Sequence, residues 1–291
     1  MPVGPVIALS HGGGPMPLLG DPAHAAITAS LRTRVPALLG LDSSTPPRAI
    51  ILITAHWRTP SPRISSAPSP PLLYDYHGFP APAYALRYPA PGDPQLARDV
   101  AAALAAAGFA PALDPDRGWD HGVFVPMLLA APAARVPIVQ VSVLAGDDAA
   151  DHLRMGAALH GLRADGVAVL GSGFASLHNF AAFAGLRAGG DGARAWARRV
   201  DAWNAALEGA LGAGGNGGAG GAAEGRDDEA LRGWREMPHA WDVHPAGQAE
   251  HLMPLMVCAG AAMEGEAAAS YEDEFQGVKI KTFYWGADLA A

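Results

Sequence analysis

Three apolar runs, each too short for a helix and each leading into a polar turn with a histidine, set the terms on which this chain can fold. The first is Val6-Ile-Ala-Leu-Ser-His-Gly-Gly-Gly-Pro15 and the second Ala49-Ile-Ile-Leu-Ile-Thr-Ala-His-Trp57. The third, looser copy is Val167-Ala-Val-Leu-Gly-Ser-Gly173, with His178 a few residues beyond. Short apolar runs bounded by turn signals suit buried strands. In open α/β sheets, ligands and catalytic groups collect at the carboxyl edge of the strands. If these strands are parallel neighbours, His11 and His56 point into one crevice.

Helical signals fall between the runs. Asp21-Pro22 and Asp93-Pro94 place an N-capping carboxylate before a proline at the first helical position. They predict helices from Pro22 to about Arg34 and from Pro94 to Gly108. Further helices are expected over Val123–Leu129, from Asp147 or Asp148 to about Arg163, and over 190–211, 227–235 and 250–262. Val136–Leu144 reads as a central strand and Arg63–Ser66 as a short one. Val278–Trp285 alternates in the manner of an antiparallel strand. This alternation predicts a single α/β domain over residues 1–291, with a mostly parallel central sheet flanked by helices and an antiparallel C-terminal strand. Residues 212–225, nearly all Gly and Ala, read as a flexible insertion.

Composition narrows the function. Half of the 291 residues are apolar and 16% are charged, enough for a sizeable core. Twenty basic against 28 acidic residues, with no basic run, argues against nucleic acid as a partner. No apolar stretch reaches the roughly 18 residues of a membrane span, and the N-terminus lacks the pattern of a signal peptide. The one cysteine, Cys258, excludes an internal disulfide framework and fits a reducing cytoplasm. A metal site would therefore draw on carboxylates and the 11 histidines.

His11 and His56 end strands and are the leading ligand candidates, since neutral imidazole is the commonest metal ligand among side chains. His178 follows Gly171-Ser-Gly, a turn that either binds an anion or lets another segment pack closely. His121 lies in Trp119-Asp-His-Gly122 before a helix, with Asp120 as a histidine-orienting group or a cap. His251 is placed on the first turn of the 250–262 helix, with Glu250 pointing about 100° away. His244, before Pro245, reads as a surface histidine. His24, His77, His152, His160 and His239 have no supporting context. The chain lacks a Gly-x-Ser-x-Gly elbow, a phosphate-binding loop, a His-Glu-x-x-His pair and a dinucleotide fingerprint.

Five blocks in order resemble the class III extradiol ring-cleavage dioxygenases, in their DOPA 4,5-dioxygenase-like (LigB-type) branch. They are Ser10-His-Gly12, Thr54-Ala-His-Trp57, Trp119-Asp-His-Gly-Val-Phe-Val-Pro126, Gly171-Ser-Gly with Leu177-His-Asn179, and Glu250-His-Leu-Met-Pro-Leu255. The resemblance implies His11, His56 and His251 as metal ligands, and His178 as a further ligand or the acid/base. It implies His121 as a histidine that contacts substrate. Glu250 is the reserve ligand if the site is instead the two-His-one-carboxylate kind suited to Fe(II) oxygenases. The glycine run after His11 is expanded, and Ala246-Gly-Gln-Ala249 replaces the branch's usual Thr/Pro residues. Both changes bear on the pocket more than on the metal.

The implied activity is ring opening of a small DOPA-like catechol by O2, with Fe(II) for activity and Zn(II) able to occupy the same site. The aromatic loop Tyr74–Tyr88 is a candidate wall for the ring. Two other functions use the same residues: a zinc-dependent hydrolase, and a non-enzymatic binding protein on a reused scaffold. The oligomeric state is left open.

Overall fold

The apolar runs form the middle of one sheet. The structure, a computed structural model, describes residues 2–213 and 225–289. The predicted glycine-rich insertion, 212–225, lies outside them except for its first two residues and its last. The strands are β1 (Val6–Ser10), β2 (Ala49–Thr59), β3 (Arg63–Ser65), β4 (Ala112–Asp114), β5 (Ile138–Leu144), β6 (Val167–Gly173), β7 (Ala269–Phe275) and β8 (Val278–Trp285). Their order is β4-β3-β5-β2-β6-β1-β8-β7. The central pairs β5–β2, β2–β6 and β6–β1 are parallel, whereas β8 joins β1 antiparallel and β7 joins β8 antiparallel. Every residue of β1, β5 and β6 is buried, which is why those runs are continuously apolar rather than alternating.

The helices α1 (Ala25–Leu39), α2 (Pro94–Ala106), α3 (His121–Ala130), α4 (Ala149–Ala157), α5 (His160–Ala164), α6 (Phe180–Ala188), α7 (Gly190–Leu211), α8 (Asp228–Arg232), α9 (Ala240–Val243) and α10 (Met253–Ala261) flank this sheet. None of the described helices is long and apolar enough to cross a membrane. At Asp93 the carboxylate accepts from the Gln95 and Leu96 amides, as the Asp-Pro signal predicts. Asp21 instead starts a short 3-10 turn, and α1 runs on past Arg34 until Gly40 ends it in the left-handed region. The helix expected over 147–163 breaks into α4 and α5, and the one expected from Glu250 starts three residues later, at Met253.

The strand-neighbour expectation needs a correction. β1 and β2 are not adjacent, because β6 lies between them, with Ser10 opposite Gly173 and Thr54 opposite Ser172. His11 and His56 therefore converge across the end of β6. Small residues there are required by α10, which packs on that strand. A Cβ on Gly171 would stand 2.6 Å from Cys258 Sγ and from the Pro254 carbonyl oxygen, and one on Gly173 only 2.3 Å from the His251 carbonyl oxygen. The glycine bracket is thus a close-packing device, and it brings His251 to the same edge as His11.

Candidate metal centre

Each of the three clustered histidines is delivered by a different local device. His11 is the residue after β1, and its amide donates to the Gly173 carbonyl at 3.2 Å. His56 lies where the β2–β5 register shifts, between Thr54 and Arg58. Such irregularities re-aim side chains and concentrate near active sites. His251 sits in the turn before α10, its carbonyl accepting from the Phe174 amide at 3.0 Å. One donor atom from each of His11, His56 and His251 lies within 4.8 Å of the others.

Hydrogen bonding sets the proton positions. The Ser172 hydroxyl donates its one hydrogen to the Gly122 carbonyl, so it accepts from His11 Nδ1–H at 3.0 Å. His11 Nε2 is thereby left unprotonated. His56 Nε2 stands 3.0 Å from it. Two nitrogens sharing a metal at ~2.1 Å on perpendicular bonds stand roughly 3 Å apart, so this spacing fits a common cation. His251 donates Nδ1–H to Glu250 Oε1 at 2.9 Å, which frees its other nitrogen for the cluster. A carboxylate behind a ligating histidine fixes its tautomer and raises its basicity. We predict that Glu250→Gln weakens metal affinity roughly 10–100-fold. A competitive chelator titration reads this directly, and an unchanged affinity would count against it.

That contact revises the reading of Glu250. Because the pair precedes the helix, helical spacing does not separate the two side chains, and they touch. Burial pushes the Glu250 carboxyl up, against the pull of Arg58 at 3.6 Å. Its Oε1 is also 3.5 Å from His178 Nδ1, so the carboxylate lies between His251 and His178 rather than with His11 and His56. The His178 ring stacks on His251 at 3.5 Å with a 15° tilt. Its loop is tied down by its own amide, which donates to Val243, and by Asn179, which caps α6.

His121 opens α3. Its backbone amide and its Nδ1 both donate to Asp75 Oδ1, at 2.9 and 2.8 Å, leaving Nε2 free. Asp75 also stands 3.7 Å from His56 Nδ1. Burial opposes the charge on Asp75, but the His121 hydrogen bonds outweigh it and hold the carboxyl below its usual range. No sequence signal marked Asp75, which reaches the site from the irregular loop before α2. Asp120 neither caps α3 nor touches a histidine. It accepts from Thr54, Arg117 and Gln140 at 2.8, 2.7 and 2.6 Å, and Thr54 in turn accepts from the His56 amide.

His244 is a second correction. It is fully buried against Trp203 and Trp234 and bonds the Ala175 carbonyl at 2.8 Å. Burial lowers His244 to about 3, His56 to about 3 and His178 to about 4. Above pH 6.5 these rings are neutral whether the chain is folded or unfolded, so they add no pH dependence. Below it the unfolded chain takes up protons that the folded one refuses. Each group then removes ~1.4 kcal/mol of stability per pH unit until its folded value is reached. Denaturant titration of the metal-free protein at pH 7 and pH 5 should show this loss, and equal stabilities would contradict it.

His11, His56, His121, His178 and His251, together with His24, line one cavity of about 600 Å³. Its remaining wall is largely aromatic, with Tyr76, Phe79, Phe174, Phe180, Phe183 and Phe275. From the Tyr74–Tyr88 loop only Tyr76 and Phe79 reach it; Tyr74 and Tyr88 instead bond backbone carbonyls of Leu86 and Ala131. Gly12, Gly13 and Gly14 keep the wall beside His11 free of side chains, and Gly12 and Gly14 have positive φ of 83° and 51°.

Residues 9–279 match the family model described as the catalytic LigB subunit of aromatic ring-opening dioxygenase. The dioxygenase tasH of Hapsidospora irregularis is 50% identical over 98% of this chain and 86% of its own length. The 4,5-DOPA dioxygenase extradiol of Portulaca grandiflora is 36% identical over 76% of this chain and 75% of its own. A crystal structure of an uncharacterized Escherichia coli K12 protein aligns with a TM-score of 0.69 at 26% identity, covering 97% of this chain and 99% of that one.

Proposed function

The chain belongs to the LigB family of aromatic ring-opening dioxygenases, and from that membership we propose that it opens a catechol-type, DOPA-like ring with O2, using Fe(II) held by His11, His56 and His251. The observation that carries this reading is the cluster of three imidazoles at a cavity walled by aromatic rings. The donor set suits a divalent metal, because His11 and His251 each have Nδ1 tied to Ser172 or Glu250 with Nε2 left free, and His56 Nε2 stands 3.0 Å from His11 Nε2. Fe(II) bound at these donors would supply a Lewis-acidic, redox-capable centre for the ring-opening chemistry.

The protein's own groups do the rest. Three neutral imidazoles add no negative charge and leave coordination positions open for substrate. His178 is neutral at physiological pH, since burial holds it near 4, so its imidazole can take a proton from a catechol hydroxyl and later return one. His121, fixed through Nδ1 by Asp75, offers Nε2 to a substrate oxygen. The aromatic wall accepts the flat ring and excludes water, which strengthens each of these polar contacts. A reducing cytoplasm suits both Fe(II) and the buried Cys258 thiol.

The test is anaerobic loading with Fe(II), addition of a catechol panel that includes DOPA, and then admission of O2. Yellow ring-opened product with matching O2 uptake is expected. Colourless, O2-independent turnover of an ester or amide would overturn the reading in favour of a zinc hydrolase.

A further inference from the structure

Asp120 stands just before α3, where an aspartate ordinarily caps the helix, yet its carboxylate turns away from the helix amides. It is fully buried, and a buried carboxylate persists only where donors match its oxygens. Oδ1 accepts from the Thr54 hydroxyl, and Oδ2 accepts from Arg117 and from Gln140. A capping contact has been exchanged for ties to β2 and β5.

The tie to β2 falls where that strand needs support. Thr54 is the last residue in register before the shift at Arg58, and residues 55–57 have no register partner on β5 or β6. The His56 amide, left without a ladder acceptor, bonds the Thr54 hydroxyl at 3.1 Å. Arg117, besides its bond to Asp120, lies over the Trp57 ring at 4.8 Å. The segment that carries His56 is therefore held from the Asp120 side rather than by strand pairing.

Gly122 extends the arrangement to the other strand-end histidine. Its carbonyl accepts from Ser172, whose hydroxyl oxygen accepts from His11 Nδ1–H. A Cβ at Gly122 would stand 2.7 Å from Thr54 Oγ1, 3.0 Å from His56 Cδ2 and 3.1 Å from Asp120 Oδ1. No side chain fits between this turn and the His56 ring. Asp120 and Gly122 thus flank His121 in sequence and reach His56 and His11 in space.

We infer that Asp120 and Gly122 are positioning residues: the turn that opens α3 registers His56 through Thr54 and His11 through Ser172, and sets both against His121. The two relays share no hydroxyl, so each histidine can be displaced without the other. The inference rests on the proposed metal centre only for what these histidines then hold.

The test reads the ring nitrogens of ¹⁵N-histidine-labelled, metal-free protein by NMR, and the absorption spectrum of the same samples after anaerobic loading with Co(II). Thr54→Val, which keeps the side chain's shape and removes the relay, is expected to shift the His56 ring signals and leave those of His11 in place. Ser172→Ala should do the converse, and Thr54→Ser, which keeps the hydroxyl, should match the wild type. Gly122→Ala retains every hydrogen bond and should still displace His56, which keeps the idea testable if Thr54→Val is unstable. Thr59→Val is the structural control, a buried threonine farther along β2 that bonds Ser142 at 2.6 Å, and it should move neither ring. With Co(II), Thr54→Val should bind the ion roughly 10–100-fold more weakly and alter its visible bands. Unmoved His56 signals in Thr54→Val and Gly122→Ala, or a shift that Thr59→Val reproduces, would overturn the positioning role. The two readouts also separate the ideas. Displaced rings in a protein whose wild type takes up no Co(II) refute the metal centre and keep the positioning role, whereas Co(II) uptake with unmoved rings does the reverse.

Discussion

Replacing His11 with alanine is expected to remove the bound metal and to lower O2-dependent turnover about a thousandfold, or ~4 kcal/mol of transition-state stabilisation. The size follows from the geometry. His11 Nε2 is 3.0 Å from His56 Nε2, and without it the three-histidine group keeps only His56 and His251. The Ser172 hydroxyl loses its histidine donor but keeps the Gly122 carbonyl, so the site changes without a buried group being orphaned. Metal analysis alongside circular dichroism checks this. Full metal content in a folded His11→Ala protein would show that the cation is held elsewhere.

His178→Ala is expected to behave differently. Turnover should fall by ~10²–10⁴, the usual contribution of a positioned acid/base, while metal content stays near the wild-type level. His178 lies outside the His11–His56–His251 group; its donor atom gathers instead with Glu250 and His251, and its ring is stacked face to face on His251. Parallel losses of metal and turnover would make His178 a ligand. The comparison is sharpest when metal is measured on the same samples as kcat, because unfolding lowers both together.

The central sheet was readable because its strands are buried on both faces and so appear as unbroken apolar runs. The histidines were readable because three of those runs lead to one, and the structure brings His11, His56, His121, His178 and His251 to a single cavity. What escaped is as physical. β7 hides its alternation because the inward Asp273 is polar, held by Ser30 at 2.5 Å. α6 carries an exposed Phe180 on its cavity face, so it lacks an ordinary amphipathic pattern, although the Asn179 cap was a usable signal. Asp75 meets His121 across 46 positions from a loop without periodicity, a pairing that only tertiary structure creates. His244 looked like a surface residue because of Pro245, yet two tryptophans from distant segments enclose it.

Isotope labelling addresses the chemistry itself. The Fe(II)-loaded protein is mixed with a catechol under ¹⁸O₂, and the ring-opened product is analysed by mass spectrometry. Both atoms of one O2 molecule are expected in the product, apart from exchange of an aldehyde oxygen with water. A product that carries no label, with its new oxygen drawn from water, would contradict the dioxygenase account and assign the three histidines to hydrolysis.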